Sequence, residues 1–518
     1  MFFPKQRVMA LAAAALALGL ASCGGMRSPT ATVSDAISLL AGGAEPAPPP
    51  KITAPKPSRL HMLAANENAF GAVLALADSA TRTLDAQYYI FQKDTTGLIL
   101  VDRLIRAADR GVKVRLLVDD LGLVGVSPQL RMMNAHPNIE VRLFNPLGGR
   151  QKGLGRVVDF CMDPRRLNRR MHNKLFAADG RWLVTGGRNV GDQYFTTQHS
   201  TYFKDLDLLA TGPLAQEAEK MFQAYWACEW AAPLGIFFTG RERKGDLAAL
   251  RRWQHAVAGK AETRAALAAY ETSGWRTRLQ RGQIEWIQSP ARLVFDQPDK
   301  IEYHVFDEGS LLLGAHLTKR ASSCRHDLII ASPYFVPGPK GVEFLSKLRA
   351  SGTRVRVLTN SLAATDVAVV HGGYARYREA LLRAGVEIYE LKPDAKIKRR
   401  WKPGRGGSRS CLHAKTFVFD GREVFVGSFN IDPRSARLNT EMGLLADSPR
   451  LAEQVTALLH EATQPAASYR LALGAHGRLE WHGEDLGKKV VYHADPKAGH
   501  WRHFMAFWAA VLPIEDQL

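Results

Sequence analysis

The sequence predicts an α/β fold of two duplicated lobes, each a mixed β-sheet flanked by helices, with an active site at the pseudo-twofold interface between them. Three observations carry this prediction. First, Met171–Asn189 has the pattern His172-x-Lys174, four residues, Asp179, six residues, Gly186-Gly187-x-Asn189, and the second half repeats it with every gap equal, as His413-x-Lys415, Asp420 and Gly427-Ser428-x-Asn430. Second, runs with strand character alternate with runs of helical spacing in both halves, which favours a largely parallel sheet. Third, Tyr334-Phe335-Val336-Pro337 echoes Tyr88-Tyr89-Ile90-Phe91, a weaker sign of the same duplication.

The chain begins with a targeting segment. Lys5 and Arg7 precede the apolar run Val8–Leu20, which is too short to span a bilayer comfortably. Leu20-Ala21-Ser22-Cys23 resembles a bacterial lipobox, which implies removal of residues 1–22 and lipidation of Cys23. Gly24 rather than Asp follows. That implies an exported protein, lipid-anchored on the periplasmic side and at the outer rather than the inner membrane. The alternative is an ordinary signal peptide or a short anchor. Residues 23–58 carry six prolines between Pro46 and Pro57, the composition of a semi-rigid tether.

The first lobe spans residues 59–233. Thr83–Phe91, Val112–Val118 and Ile139–Phe144 have strand character, and Leu98–Arg110 has helical spacing and stops at Gly111. Asp119 and Asp120 close a strand, and no His or Cys joins them at metal-ligand spacing, so they are assigned to a turn. Residues 234–300 break the pattern and form a helical linker or insertion, with helices at Leu247–Gly259 and Thr263–Ala269. The second lobe, 301–518, repeats the plan of the first through His326–Phe335, Val342–Leu348, Val355–Asn360, Tyr374–Ala384 and Val386–Leu391. In the tail, Trp501, Phe504, Phe507, Trp508 and Val511 recur at three- and four-residue steps. Such a helix either packs on its own domain or lies on a membrane surface.

The repeated motif carries the chemistry. Both copies alternate in strand fashion, and side chains two apart share a strand face. His172 and Lys174 therefore point one way, as do His413 and Lys415. Ser428 and Asn430 on the returning strand, and Asn189 in the first copy, can aim at the same place. Asp179 and Asp420 complete the motif and so enter the catalytic set. Their odd offset turns them to the opposite face, however, and the glycine after each marks a turn. Two imidazoles, two ammonium groups and two amides suit phosphoryl transfer without a metal or cofactor. One histidine attacks while the other protonates the leaving alkoxide, help worth about 10²–10⁴-fold. The cations and amides hold the charge that develops on the phosphoryl oxygens. Two strands with surface His and Lys are the structural alternative, disfavoured by the complete repeat.

HxKxxxxD followed by GSxN, present twice, resembles the phospholipase D superfamily over roughly residues 60–518. Leu167–Lys174, Gly186–Asp192, Arg434-Ser435, Leu438–Glu441 and Leu512–Glu515 are similar to the bacterial cardiolipin synthase branch, especially its C-type. The resemblance implies that a carboxylate downstream of each motif orients the imidazole. Glu441 matches it in the second half. Aligning Asp207-Leu208-Leu209 with Gly443-Leu444-Leu445 makes Asp205 its partner in the first. Gly187 stands where the superfamily usually has Ser, so the halves are not equivalent. The implied mechanism has His172 attacking phosphorus to form a phosphohistidine and His413 serving as acid and then base. The two roles are exchangeable at this level.

The formal charge of +19 suits anionic partners, either a membrane surface or nucleic acid. Basic residues precede both motifs: Arg165, Arg166, Arg169 and Arg170, and eight Lys/Arg against one Asp in Leu391–Arg409. They either steer anionic headgroups or form solvated loops. The implied substrates are anionic phospholipid (phosphatidylglycerol) and also phosphatidylethanolamine, giving cardiolipin-type transphosphatidylation. A water acceptor would make the protein a phospholipase D hydrolase instead. A nuclease is supported by charge alone, and a lipoprotein with a disabled site by Gly187 alone. Besides Cys23, the cysteines Cys161, Cys228, Cys324 and Cys411 form neither a disulfide framework nor a CxxC site. Cys411, two before His413, is assigned to the pocket wall.

Overall fold

The computed structural model describes residues 54–124, 127–147, 164–196, 201–237, 247–302, 313–393, 409–511 and 515. The leader with Cys23, most of the tether, Cys161, most of the basic run 391–409 and the segment 512–514 lie outside the described residues, as does the side chain of Arg165.

In chain order the first-half strands are β1 (Lys56–Leu63), β2 (Thr83–Tyr88), β3 (Lys113–Asp119), β4 (Ile139–Phe144), β5 (Leu175–Ala178), β6 (Trp182–Gly186), β7 (Thr201–Lys204), β8 (Asp207–Thr211) and β9 (Ala231–Pro233). They are followed by β10 (Ile287–Phe295), β11 (Asp327–Ala331), β12 (Arg354–Asn360), β13 (Glu387–Leu391), β14 (Arg409–Leu412), β15 (Lys415–Phe419), β16 (Glu423–Gly427), β17 (Met442–Asp447), β18 (Ser468–Leu473), β19 (Leu479–Asp485) and β20 (Lys488–Tyr492). All but β7 and β14 join one 18-stranded sheet.

The pairing order across that sheet is a near palindrome. From the outside inward the first half runs β4-β3-β2-β5-β6-β8-β1, and the second runs β13-β12-β11-β15-β16-β17-β10. β1 and β10 pair antiparallel at the centre, with Ser58 opposite Ser289. β2-β3-β4 and β11-β12-β13 are the parallel parts. Parallel neighbours need a crossover, and helices supply it. α1 (Asn66–Ser79) follows β1, α2 (Thr95–Asp109) joins β2 to β3, and later α7 (Gly338–Ala350) joins β11 to β12. Asp94 Oδ1 accepts the Gly97 amide to cap α2, satisfying one of the donors a helix start leaves open. Gly111 and Gly352 end the two crossover helices with φ of 93° and 95°, a conformation that side chains with a Cβ rarely adopt.

α3 (Pro213–Ala227) and α9 (Pro449–Thr463) follow the equivalent strands β8 and β17. They sit in one apolar cluster that takes residues from both halves, including Leu60, Leu175, Phe222, Leu293, Val424 and Val455. Separate clusters fill each half.

The region between the halves differs from a simple linker. α4 (Leu247–Ala258), α5 (Ala261–Ser273) and α6 (Trp275–Gln280) fold back on the first half. Trp275 lies so close to Gly71 of α1 that a Cβ there would sit 2.5 Å from its ring. The remainder of the region is β10, a central strand that bonds β1 on one edge and β17 on the other. β1 itself starts within the Pro-rich stretch, at Lys56.

Two smaller expectations are corrected. Residues 374–384 do not make one helix but the end of α8 (Ala368–Ala375) and a separate short helix at Arg378–Arg383. Phe91 bridges Val190 and Phe335 bridges Ile431. The equivalent of Phe91 is therefore Phe335 rather than Pro337, and the aromatic echo is out of register. Beyond the second repeat, β18–β20 extend the sheet from β13, and α10 (His500–Val511) lies on α8.

Candidate active site

Each motif histidine lies just before its strand rather than inside it: β5 starts at Leu175 and β15 at Lys415. What places the rings is a contact with the opposite half. The His172 amide donates to Thr440 O at 2.9 Å, and the Thr440 amide donates to Arg170 O at 3.0 Å. β14 runs parallel to β7, and the His413 and Ala414 amides both donate to Lys204 O, at 2.8 and 3.1 Å. Each histidine is thereby laid against the segment that carries the other half's carboxylate.

The carboxylates cross accordingly. His172 Nδ1 is 2.9 Å from Glu441 Oε2, and His413 Nδ1 is 2.6 Å from Asp205 Oδ2. The sequence alignment identified both acids but gave each to the motif of its own half, and the structure corrects this. An ionised carboxylate at Nδ1 keeps the proton there and leaves the Nε2 lone pair for chemistry. The rings are only 8% and 6% exposed. Burial pushes His172 down to about 4 and, with the Lys415 charge, pushes His413 down to about 3. Both are neutral at pH 7.

The lysines close the cluster. Lys174 Nζ donates to its own chain at His172 O, and Lys415 Nζ donates likewise to His413 O. Lys415 Nζ also lies 3.0 Å from His413 Nδ1 and 3.3 Å from Nε2. Burial lowers both ammonium pKa values. Glu441 and Asp205 act on each lysine in the opposite direction, and Lys415 in turn depresses Lys174. Groups from both halves thus share one electrostatic environment.

The remaining motif residues divide unequally. Ser428 Oγ donates to Glu441 Oε2, and Ser435 Oγ donates to Glu441 Oε1 at 2.8 Å. The Glu441 amide donates to Asp296, at the end of the central strand β10. At Gly187 a Cβ would lie 2.1 Å from Asp205 Oδ1, so the missing hydroxyl makes room for the carboxylate. Asn189 is already engaged: Oδ1 accepts the Ile90 amide and Nδ2 donates to Tyr194 OH. Asn430 Oδ1 is buried with no hydrogen-bond partner among the described residues.

Asp179 and Asp420 are elsewhere, which corrects their place in the catalytic set. Asp179 accepts the amides of Thr81, Arg82 and Thr83, and Asp420 accepts those of Arg325, His326 and Asp327. Both have positive φ, 59° and 50°. Burial acts to raise them, but the backbone donors prevail and hold both below the usual carboxylate range. They tie the turn beyond the motif to the strand next to it, as their odd offset suggested.

Of the arginines before His172 whose side chains are described, Arg169 and Arg170 are buried and Arg166 is half-buried against Asn145 and Pro146. Arg170 is fully buried, chelated by Asp119 at 2.7 Å, and Asp119 also accepts the Met171 amide. This buried pair fixes the approach to His172. Arg169 donates to Ile301 O. Sequence reasoning also missed Arg188, which meets Asp207 at 3.2 Å and donates to Asp205 O. It missed the rings packed on the imidazoles as well: Tyr89 at 5.1 Å from His172, and Tyr194 and Phe203 at 5.1 and 4.7 Å from His413. Cys411 is fully buried, with its Sγ 3.4 Å from Leu412 O. Among the described residues Cys228, Cys324 and Cys411 are in no disulfide. The acidic group His371, Glu390 and Asp495 has metal-like proximity. The Arg378 guanidinium sits within it, 2.9 Å from Glu390 and 2.8 Å from Asp495, and supplies the positive charge.

The family model described as "Cardiolipin synthase, PLD-like domain" matches residues 73–226 and 317–462, one segment in each half. Cardiolipin synthase C of Escherichia coli (strain K12) is 41% identical over 453 residues, covering 86% of this chain and 93% of that protein. An uncharacterized protein of Helicobacter pylori (strain ATCC 700392 / 26695) is 34% identical and covers 87% and 88%. The crystal structure of phosphatidylserine synthase from Haemophilus influenzae Rd KW20 superposes with a TM-score of 0.57 at 15% identity, covering 89% of this chain and 95% of that one, which establishes the shared fold. The chain belongs to the cardiolipin synthase family of phospholipase D-like enzymes.

Proposed function

We propose that this protein transfers a phosphatidyl group between membrane phospholipids, in the manner of a cardiolipin synthase, through a phosphohistidine. The crossed pairs His172–Glu441 and His413–Asp205 carry this reading. They present two neutral Nε2 atoms with the tautomer fixed, beside two buried ammonium groups. An arriving phosphodiester anion adds negative charge beside the buried lysines and favours protonation of a ring. His172 Nε2 attacks phosphorus, and the bond from phosphorus to the departing glycerol oxygen breaks. His413 gives that oxygen its proton. The hydroxyl of the acceptor then loses its proton to His413 as its oxygen attacks the phosphohistidine, and the N–P bond breaks. Lys415, in contact with the His413 ring, can renew the proton there, which suits His413 to the acid–base role. Lys174, Lys415 and Asn430 face the growing charge on the phosphoryl oxygens, and Glu441 and Asp205 hold the rings.

Phosphatidylglycerol is the proposed donor, with phosphatidylglycerol or phosphatidylethanolamine as partner. Lipidation at Cys23 and anchoring at the periplasmic side of the outer membrane would keep the enzyme with its substrate. The decisive experiment is mass spectrometry of products from phosphatidylglycerol, with and without phosphatidylethanolamine, in EDTA, with plasmid incubated in parallel under the same conditions. Cardiolipin is the expected product. Phosphatidic acid alone would make the protein a hydrolase, and loss of plasmid with intact lipid would make it a nuclease.

A further inference from the structure

The helix α10 is built inside out. Its buried residues are Ala506 and Ala509, and Gly372 of α8 approaches so closely that a Cβ there would lie 2.2 Å from Ala506 O. The large side chains point away: Trp501, Phe504, Phe507, Trp508 and Val511 are all between 45% and 64% exposed. Stability alone would bury the aromatic face and expose the alanines. The rings also touch in sequence, with centroids 5.4 Å apart for Trp501 and Phe504, 6.2 Å for Phe504 and Trp508 and 5.8 Å for Phe507 and Trp508. They form one continuous apolar patch, the kind that marks a contact surface. Among the described residues, seven of the nine exposed large hydrophobic side chains lie between Leu486 and Val511.

We propose that this face docks on an anionic phospholipid bilayer. Charge favours that occupant. The helix holds His500, Arg502 and His503 and no acidic residue, and the exposed Lys488 and Lys489 sit beside the fully exposed Leu486 on the hairpin before it. Of the nearby acids, Asp485 pairs with Lys392 and Lys497, Asp495 with Arg378 and Glu515 with Arg376, and Glu484 stands opposite Lys489 in the hairpin. Aromatic side chains with basic neighbours match the interfacial layer of a membrane. The patch is also braced to the catalytic centre. Arg502 donates to Leu362 O and Thr365 O, at 2.9 and 2.7 Å. The next residue, Asp366, accepts the Tyr334 hydroxyl and is among the charges that raise Lys415. Docking therefore sets the height of the active site above its lipid. The choice of lipid rests on the proposed phosphatidyl transfer, while the docking itself does not.

The test uses the full chain and vesicles of phosphatidylglycerol and phosphatidylcholine with brominated acyl chains. Tryptophan fluorescence of the wild type should be quenched, and most of that quenching should vanish in W501F/W508F. Vesicles of phosphatidylcholine alone should quench several-fold less. In F504S/F507S the melting temperature should be unchanged and turnover of dispersed short-chain phosphatidylglycerol should stay within about twofold, while turnover of vesicular phosphatidylglycerol falls about tenfold. Quenching unchanged by W501F/W508F, or equal loss on both substrates, overturns the proposal. So does a shift from dimer to monomer in F504S/F507S without change in quenching, which would make the patch a contact between copies. If phosphatidylglycerol is no substrate at all, the quenching arm still reads docking independently of the proposed reaction.

Discussion

The two half-sites share a plan and differ in how they hold it. Glu441 has the longer side chain, is held by two serine hydroxyls, and draws its backbone support from Asp296, the residue just after the central strand. Asp205 has the shorter one and gains access by pressing against the bare Cα of Gly187. Burial acts to raise Asp205, but His413, Lys415 and Arg188 hold it down to about 2. Glu441 also lies below its ordinary range, where His172, Lys174 and Ser428 outweigh burial. A duplicated active site can thus keep a ring–carboxylate hydrogen bond in both halves, at 2.9 and 2.6 Å, through compensating changes: one methylene less in the acid, one hydroxyl less opposite it.

The largest test of this comparison is removal of each ring. His172→Asn and His413→Asn should each lower turnover by about 10⁴-fold or more, with circular dichroism unchanged. Labelled phosphate trapped on acid-free quenching in His413→Asn but not in His172→Asn would sharpen the assignment of roles, and the reverse pattern would exchange them. Next come the acids. Glu441→Gln and Asp205→Asn should cost about 10²–10⁴-fold through loss of tautomer control. If the pairing is crossed, Glu441→Gln should reduce labelling of His172 rather than only its later transfer.

Restoring the superfamily's serine should harm this chain. In Gly187→Ser the new Cβ would force Asp205 aside, and turnover should drop about 10–100-fold, with about 1–3 kcal/mol lost in stability. Ser428→Ala removes only one of Glu441's donors and should cost about tenfold. Equal effects at the two positions would break the comparison.

The pH dependence follows from the depressed imidazoles. Between the ordinary histidine value of 6.5 and about 4, the unfolded chain binds protons at His172 and His413 that the folded protein does not. Stability therefore rises with pH across this window. The two rings together should contribute about 4 kcal/mol less stability at pH 5 than at pH 7.5, so in urea denaturation His413→Asn, which keeps one of them, should show about 2 kcal/mol less pH dependence than the wild type. The smallest effect belongs to the outlying aspartates. Asp179→Ala and Asp420→Ala should each lose about 1–2 kcal/mol of stability while turnover per folded molecule stays within about twofold.

Much of the site was legible because the motif is local. Spacing paired His172 with Lys174 and His413 with Lys415, the resemblance brought the two pairs to one site, and the odd offset separated Asp179 and Asp420 by face. The resemblance supplied Glu441, and alignment of the downstream strands added Asp205. The crossing was not legible, because it depends on Met171 meeting Thr440 and β14 meeting β7 across the whole chain. Arg170 illustrates a second limit. A run of arginines looks solvated by composition, and only the fold brings Asp119 to its guanidinium. β10 illustrates a third: nine residues after three charged helices carried no duplicated signal, yet they make the central strand. Gly187 was noticed as a departure, but its reason lies in a carboxylate eighteen residues away.

That central strand also bears on how the protein is made. A nascent chain completes β1 early, and β1 then waits for β10, which leaves the ribosome after the helices up to Gln280. Until then β1 presents an unpaired edge, ready to capture any other extended segment. A fragment ending before Ile287 would carry that edge permanently, so it should aggregate where the intact polypeptide does not.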